Sequence, residues 1–206
     1  MFITFEGTEG SGKSLQARLL VSRLAAHGVN VCATHEPGGT PLGDAVRQLV
    51  LLRDDLKVVA RAEALLMCTS RAQLVEEVIR PALARGEVVV CDRFADSTLV
   101  YQGAGRGLDM QALASVISFA TAGLQPDMTV LLDLPVEVGL ARKHTQQAGW
   151  NRFEAEAQAF HGRVRDGYRT LAHGDPRRWH CFDGVRPVDE LAEDIWRAVA
   201  ARMGLT

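Results

Sequence analysis

Short apolar runs alternate along the 206-residue chain with longer stretches in which apolar residues recur about every 3.6 positions. The short runs predict buried strands and the longer stretches predict helices. Regular alternation of the two is typical of an α/β fold, in which a parallel sheet is flanked by helices on both faces. The strands are predicted at residues 2–5, 29–34, 88–91, 128–132 and 179–182. The helices are predicted at residues 14–27, 42–52, 60–84, 110–122, 136–146, 153–172 and 189–203.

The chain is expected to form one domain over residues 1–206, because no internal repeat, low-complexity segment or linker interrupts this alternation. Its composition, 47% hydrophobic and 23% charged, is that of a globular protein with a sizeable core. Pro81 lies inside the predicted helix 60–84, where a proline kinks or restarts a helix.

Charge and cysteine content limit the classes of partner. A net charge of −2 argues against a general nucleic-acid-binding surface. The four cysteines are scattered without a C-x-x-C pair, which favours free thiols in a reducing cytoplasm over zinc sites or disulfides. The chain opens on a predicted strand rather than a signal peptide, and no apolar run approaches the roughly twenty residues of a membrane span. We therefore expect a cytoplasmic protein that binds neither nucleic acid nor membrane.

A glycine-rich segment joins the first predicted strand to the first predicted helix. It reads Gly7-Thr8-Glu9-Gly10-Ser11-Gly12-Lys13-Ser14, which is G-x-x-x-x-G-K-S. In such a loop, backbone N–H groups and a helix N-terminus converge on phosphate, the lysine reaches the β- and γ-phosphates, and the serine hydroxyl ligates Mg²⁺. An ordinary glycine turn is the alternative, but residue types, order and context favour a site for a nucleoside triphosphate.

Charged residues follow the third and fourth predicted strands. Asp92 ends the strand 88–91 and is either a Mg²⁺ carboxylate or a cap of the next segment. Arg93 comes next and either binds the phosphate of an acceptor or forms a salt bridge. Asp133 is either a further site carboxylate or an anchor for the turn into Pro135. Because the carboxyl ends of parallel strands share one edge, these residues are expected near the phosphate loop.

The acceptor is expected to be a small phosphorylated molecule. The chain contains neither the N-K-x-D element that reads guanine nor a D-x-x-G switch after a strand, which argues against a GTPase. Arg47, Arg71 and Arg93 are candidates to bind the acceptor.

Six sequence elements together resemble the bacterial thymidylate kinases over essentially the whole chain. In order they are Phe5-Glu6-Gly7-x-Glu9-Gly10-x-Gly12-Lys13, His35-Glu36-Pro37-Gly38-Gly39-Thr40, Asp92-Arg93-Phe94, Ser97-x-x-x-Tyr101-Gln102-Gly103, Pro126-Asp127-x-Thr129-x-x-Leu132-Asp133 and Pro135-x-Glu137-x-Gly139-Leu140-x-Arg142. The resemblance implies the P-loop nucleoside monophosphate kinase fold, with a five-stranded parallel sheet and a short mobile lid at about residues 142–152. It further implies transfer of a phosphoryl group from ATP·Mg²⁺ to dTMP, and a homodimer built by helix packing. The apolar stretches 60–84 and 110–122 either supply the dimer face or are faces buried in the core.

The resemblance also implies roles for individual acceptor residues. Arg93 and Arg47 would hold the dTMP phosphate, and Arg71, Thr98 and Gln102 would hydrogen-bond the thymine edge. The residues alone favour plainer roles, a helix salt bridge for Arg71 and a core position for the Tyr101 ring.

Further implied contacts surround the sugar and the base. Tyr101 would pack where a ribose 2′-OH would lie, and Glu9 and Glu36 would lie near the deoxyribose and the water shell of the metal. Met67 stands where the family usually has a phenylalanine that stacks on thymine, so a softer sulfur–aromatic contact is expected there.

In the family that the chain resembles, members without an arginine in the phosphate loop supply basic groups from the lid, and the variable positions of the loop hold none here. The resemblance therefore implies catalytic charge from the lid, in addition to Lys13 and Arg93. An arginine on the transferred phosphoryl group accelerates transfer by about 10³–10⁵. Arg152 is the first candidate and Arg142 the second, and solvated helix charges are the alternative interpretation. Trp150 is expected to shield the closed site from water.

Two other functions remain open from the residues alone. One is a related P-loop kinase for dUMP, another pyrimidine nucleotide or a deoxynucleoside. The other is a regulatory ATPase or nucleotide-binding module in which ATP occupancy controls contact with a partner. The acceptor-site arginines favour a kinase over the second of these.

Overall fold

The sheet of this protein is parallel throughout. The computed structural model describes residues 1–53, 55–145, 153 and 156–205. Among these residues, five strands form one sheet in the order β2-β3-β1-β4-β5. The strands are β1 (Phe2–Gly7), β2 (Val31–His35), β3 (Val88–Asp92), β4 (Met128–Asp133) and β5 (Trp179–Asp183). Each lies within two residues of its predicted bounds, so the predicted five-stranded parallel sheet is confirmed.

Helices connect the strands and cover both faces of the sheet. They are α1 (Lys13–Ala26), α2 (Pro41–Arg47), α3 (Ala60–Leu74), α4 (Arg80–Ala84), α5 (Ala95–Thr98), α6 (Met110–Thr121), α7 (Val136–Thr145), α8 (Gln158–Gly174) and α9 (Val188–Met203). The π-helical segments Gln48–Leu52, Val75–Ile79 and Leu99–Gly105 continue α2, α3 and α5, respectively. No helix in the described part of the chain is long and apolar enough to cross a membrane.

The helices depart from the prediction in three places. The predicted helix 60–84 widens into the π-helical segment Val75–Ile79 directly before Pro81, which lies in the first turn of α4, where its missing N–H is tolerated. Helix α5 and its continuation were not predicted at all. Helix α8 begins at Gln158 rather than at residue 153.

The central strand β1 is buried along its whole length, and its alternate side chains enter opposite layers. Ile3 and Phe5 pack in the layer formed by α1 and α9. Phe2 packs in the other layer, with Phe94 and the end of α3. Glu6 points to the same side as Phe2, so a fully buried carboxylate lies at the end of the strand.

The ends of β1 and β3 lie side by side, because Phe5 pairs with Asp92 in the register of the two strands. The loop after β1 and the pair Asp92-Arg93 after β3 therefore meet at one edge of the sheet, as predicted.

Candidate active site

The phosphate loop lies between β1 and α1, and glycines occupy its unusual backbone conformations. Gly10 and Gly12 have φ of +67° and +91°, a region that other residues rarely adopt. A Cβ on Gly10 would lie 2.0 Å from the carbonyl oxygen of Gly139 in α7. Only glycine therefore fits at residue 10, and the loop rests directly on the backbone of α7.

Lys13 folds back over the loop. Its ammonium donates hydrogen bonds to the carbonyl oxygen of Thr8 at 2.7 Å and to Ser11 Oγ at 3.2 Å. Burial and the nearby charge of Arg93 lower the pKa of Lys13 to about 8. A bound phosphate would raise that pKa again, so the electrostatics of the loop favour an anionic ligand.

Ser14 and Asp92 place two side-chain oxygens next to each other beside the loop. Ser14 Oγ donates a hydrogen bond to Asp92 Oδ2, and Asp92 Oδ1 is buried with no hydrogen-bond partner among the described residues. No cluster of three or more His, Cys, Asp or Glu side chains that could hold a metal occurs in the described ranges. Mg²⁺ commonly binds through one or two carboxylates together with substrate phosphates, so this pair fits that metal.

Arg93 connects the phosphate loop to the helical segment that follows β3. Its Nη2 donates hydrogen bonds to Glu9 Oε1 and to the Tyr101 hydroxyl, each at 3.0 Å. Its guanidinium carbon also lies 4.9 Å from the centre of the Tyr101 ring. Its φ is +69°, a strained value for a residue with a side chain, and such strain is often found at functional sites.

Glu9 remains ionised despite its burial. Burial alone would raise its pKa, but the adjacent His161 imidazole, the charges of Arg93 and Lys13 and the hydrogen bond from the Tyr101 hydroxyl outweigh that effect and hold the pKa at about 2. His161 Nδ1 lies 3.5 Å from Glu9 Oε2. A permanent negative charge therefore lies at the mouth of the phosphate loop.

Arg71 and Glu36 form a buried ion pair, 2% and 5% exposed, respectively. Arg71 Nε donates to Glu36 Oε2 at 2.8 Å, and Arg71 Nη2 donates to Thr98 Oγ1 at 3.0 Å. Burial raises the pKa of Glu36 to about 7, although the charge of Arg71 opposes the rise. The guanidinium is thus fixed in orientation by groups from two other elements.

One cleft of about 970 Å³ is lined by most of the residues predicted for the two nucleotide sites, but not by Gly7, Thr8 and Ser11 of the phosphate loop. Arg47 Nη1 donates to the carbonyl oxygen of Pro37 at 3.0 Å, and Gln102 Nε2 donates to Glu63 Oε1 at 2.8 Å. From the predicted phosphate loop and metal residues, the lining includes Gly10, Gly12, Lys13, Ser14 and Asp92. From the predicted acceptor set, it includes Glu9, Glu36, Arg47, Met67, Arg71, Arg93, Thr98, Tyr101 and Gln102.

The basic residues predicted for the lid are not gathered in the same way. Arg142 Nη1 donates to the carbonyl oxygen of Gly184 at 2.7 Å, and Arg142 is not among the residues that line the cleft, whereas its neighbour Lys143 is. Arg152 and Trp150 lie outside the described residues.

Glu6 and Tyr168 support the site and were not assigned to it from the sequence. Glu6 accepts hydrogen bonds from the Tyr168 hydroxyl and from Ser97 Oγ, each at 2.7 Å, and burial raises its pKa. The Tyr168 hydroxyl also accepts a hydrogen bond from Arg93 Nη1 at 3.2 Å. Tyr168 is 75 residues away from Arg93, so no local pattern could have paired them.

Asp133 lies at the same edge of the sheet but has a structural partner. Its two carboxylate oxygens accept hydrogen bonds from Arg165 Nε at 2.7 Å and Arg165 Nη2 at 3.0 Å. It does not line the cleft, which favours the interpretation of Asp133 as an anchor.

Comparisons with known proteins agree with this geometry. A family model described as thymidylate kinase matches residues 5–195. The chain is 48% identical to a thymidylate kinase of Thermomicrobium roseum, over 98% of this chain and 95% of the relative. It is 50% identical to a thymidylate kinase of Deinococcus radiodurans, over 98% of this chain and 97% of the relative. The crystal structure of thymidylate kinase from Ehrlichia chaffeensis superposes with a TM-score of 0.77 at 31% identity, over 97% of this chain and 98% of that one. The chain belongs to the thymidylate kinase family of phosphotransferases, which use ATP, and it phosphorylates dTMP to dTDP.

Proposed function

We propose that the two sides of the cleft hold the two nucleotides of this reaction. The triphosphate of ATP would bind the loop at residues 7–14, and dTMP would bind between α3 and the helical segment that begins with α5. The position of Arg93 carries this proposal. It contacts Glu9 of the phosphate loop and Tyr101 of the facing segment, so its guanidinium lies where the two sets of phosphates would meet.

On the acceptor side, Arg93 and Arg47 would bind the phosphate of dTMP. Guanidinium groups bind phosphate oxygens in a bidentate way, and both side chains line the cleft. Arg71, Thr98 and Gln102 would hydrogen-bond the thymine edge, and Met67 would pack against its face.

The sugar of dTMP would lie beside Tyr101, Glu9 and Glu36. The Tyr101 ring would occupy the space of a ribose 2′-OH and so favour the deoxynucleotide. Tyr101 is 5% exposed and held by hydrogen bonds from its hydroxyl to Glu9, which supports a fixed position for the ring.

On the donor side, Ser14 and Asp92 would hold Mg²⁺, which neutralises charge on the β- and γ-phosphates when it is bound. Lys13 would exchange its hydrogen bonds to Thr8 and Ser11 for the oxygens of these phosphates.

Catalysis would consist of positioning and charge stabilisation. The dTMP phosphate is already ionised at neutral pH, so the reaction needs no strong general base. We further propose a lid at about residues 142–152, from which Arg152 would reach the transferred phosphoryl group. Arg142 could join it only after releasing the carbonyl oxygens of Gly184 and Val185, so Arg152 is the stronger candidate.

The test is a pair of arginine-to-lysine variants assayed with dTMP. Arg93→Lys keeps the charge but loses the bidentate fork, and we expect kcat/KM for dTMP to fall by about a hundredfold. Arg165→Lys is the matched control, because Arg165 also pairs with a carboxylate but lies outside the cleft lining. Equal losses in the two variants would reject the assignment of Arg93.

We also propose that the protein is a homodimer that acts in the cytoplasm. Leu65 of α3 and Phe119 of α6 are 55% and 89% exposed, and these helices pack against each other, so the two side chains offer an apolar surface to a second copy. The cytoplasmic proposal is supported by the four cysteines, all of which are free.

A further inference from the structure

We propose that Glu63 is a positioning residue that fixes the amide of Gln102, and that this fixed orientation makes the acceptor site reject cytosine. The inference rests on the proposed roles of Gln102 and Arg71 in contacting the base.

Glu63 is a buried carboxylate held between two elements. It lies on α3, is 1% exposed, and accepts a hydrogen bond from Gln102 Nε2 at 2.8 Å on its Oε1 atom. Arg106 follows the helical segment that carries Gln102, and it donates to Oε1 at 3.3 Å and to Oε2 at 3.4 Å. The guanidinium thus compensates the buried charge of Glu63.

This arrangement determines which end of the Gln102 amide faces Glu63. An ionised carboxylate only accepts hydrogen bonds, so the NH₂ end of the amide must point towards it. The carbonyl oxygen of the amide then points the other way. Since Gln102 lines the cleft, this oxygen is the end that it can offer to a base.

Arg71 supplies the complementary donor. It has no acceptor atom, lines the same cleft, and is fixed by its hydrogen bonds to Glu36 and Thr98. Arg71 and Gln102 therefore present one donor and one acceptor. The Thr98 hydroxyl can rotate to donate or to accept, so it does not discriminate between bases. Thymine offers the O4 acceptor and the N3–H donor on its pairing edge, whereas cytosine offers the N4 amino donor and the N3 acceptor. Thymine would therefore meet a complementary group at both positions. Cytosine would instead place its amino donor against the donor and its N3 acceptor against the acceptor.

Without Glu63 the amide would be free to turn over. The oxygen and nitrogen of an amide have nearly the same size, so Gln102 could rotate by a half turn at little steric cost. It would then offer its NH₂ group to the N3 acceptor of cytosine. The orientation imposed by Glu63, rather than Gln102 alone, thus sets the discrimination between the two bases.

The experiment is a competition assay in which Glu63→Gln phosphorylates a mixture of dTMP, dUMP and dCMP. We expect the ratio of kcat/KM for dTMP to that for dCMP to fall about three- to tenfold, mainly through KM, because one oriented hydrogen bond is lost. The ratio for dTMP to dUMP should stay unchanged, because uracil and thymine present the same edge to Gln102. Ratios from one mixture do not depend on the fraction of enzyme that is folded.

Three further variants make the result decisive. Asp96→Asn is the matched control, because Asp96 is another buried carboxylate that pairs with a partly exposed arginine, Arg178, at 2.6 Å, and it should leave both ratios unchanged. Glu63→Asp keeps the charge for Arg106 but withdraws the acceptor from Gln102, so it should lower the dTMP-to-dCMP ratio as well. Gln102→Leu tests the underlying role of Gln102 in contacting the base.

If Gln102→Leu lowers the dTMP-to-dCMP ratio and neither Glu63 variant does, the positioning role is wrong and the role of Gln102 stands. If Gln102→Leu leaves the ratio unchanged, the proposed contact with the base is wrong and the inference fails with it. A shift of the dTMP-to-dUMP ratio in Glu63→Gln would also overturn the inference, because it would indicate a general distortion of the site.

Discussion

The Tyr101 hydroxyl lies 2.6 Å and 2.8 Å from the two carboxylate oxygens of Glu9, so one tyrosine ties the phosphate loop to the facing helical segment. Arg93 Nη2 donates to both partners, which completes a triangle of hydrogen bonds. Three side chains thus hold the donor loop against the acceptor side.

Tyr101→Phe should break this triangle and keep the ring. Hydrogen bonds to charged groups contribute about 1.5–3 kcal/mol, so we expect kcat/KM for dTMP to fall about ten- to hundredfold. The preference for dTMP over its ribonucleotide should persist, since the ring still occupies the proposed 2′-OH position. Steady-state kinetics with both nucleotides measure the two effects, and a loss of the deoxy preference would contradict the proposed place of the ring.

Glu9 should make the stability of the folded protein depend on pH in the acidic range. Its pKa of about 2 in the folded protein lies below the ordinary value of 4.5, so it stabilises the fold above pH 4.5 and loses that effect as the pH falls towards 2. We expect the stability difference between wild type and Glu9→Gln to shrink by about 2 kcal/mol between pH 6 and pH 3. Urea unfolding at the two pH values measures it. Parallel losses of stability in both proteins would show that Glu9 is not the source.

Gly10→Ala, compared with a control glycine, should distinguish the cost of a steric clash from the cost of a left-handed backbone conformation. The new Cβ would lie 2.0 Å from the Gly139 carbonyl oxygen, so the loop must move, and KM for ATP should rise with a clear loss of thermal stability. Gly86→Ala is the matched control, since Gly86 has φ of +79° but open space around its Cβ position. The control should lose only about 1–2 kcal/mol from the left-handed conformation. Equal thermal shifts in the two variants would reject the packing of the loop on α7.

Phe119→Glu should dissociate the proposed homodimer. Burying one phenylalanine contributes about 1.5–3 kcal/mol and a two-fold interface contains it twice, so the dimer dissociation constant should rise at least about a hundredfold. Sedimentation equilibrium of wild type and variant measures the change. Val185→Glu is the control, because Val185 is exposed outside α3 and α6. A wild-type protein that stays monomeric at high concentration would refute the dimer.

The sheet could be predicted because each strand is a short apolar run, whereas the segment after β3 could not. Residues 95–105 begin as α5 and continue as a π-helical segment. The wider turn has no 3.6-residue period, so the apolar pattern missed the element that carries Thr98, Tyr101 and Gln102.

In the site, too, local motifs could be recognised in the sequence, whereas contacts between distant residues could not. Lys13, Ser14 and Arg93 were identified from local motifs, and the structure brings them to one cleft. The contacts of Arg93 with Tyr168 and of Gln102 with Glu63 join residues far apart in the chain, so they follow only from the packed fold.

Gly10 and Gly139 leave no space for a methyl group on either side of their contact, since a Cβ on Gly139 would lie 2.3 Å from the carbonyl oxygen of Glu9. Two backbones at this distance cannot slide past each other independently. A shift of the loop on binding ATP would therefore press on α7, whose far end leads into the proposed lid. The arrival of the donor nucleotide and the closing of the site over it would in this way be coupled through a contact that contains no side chain.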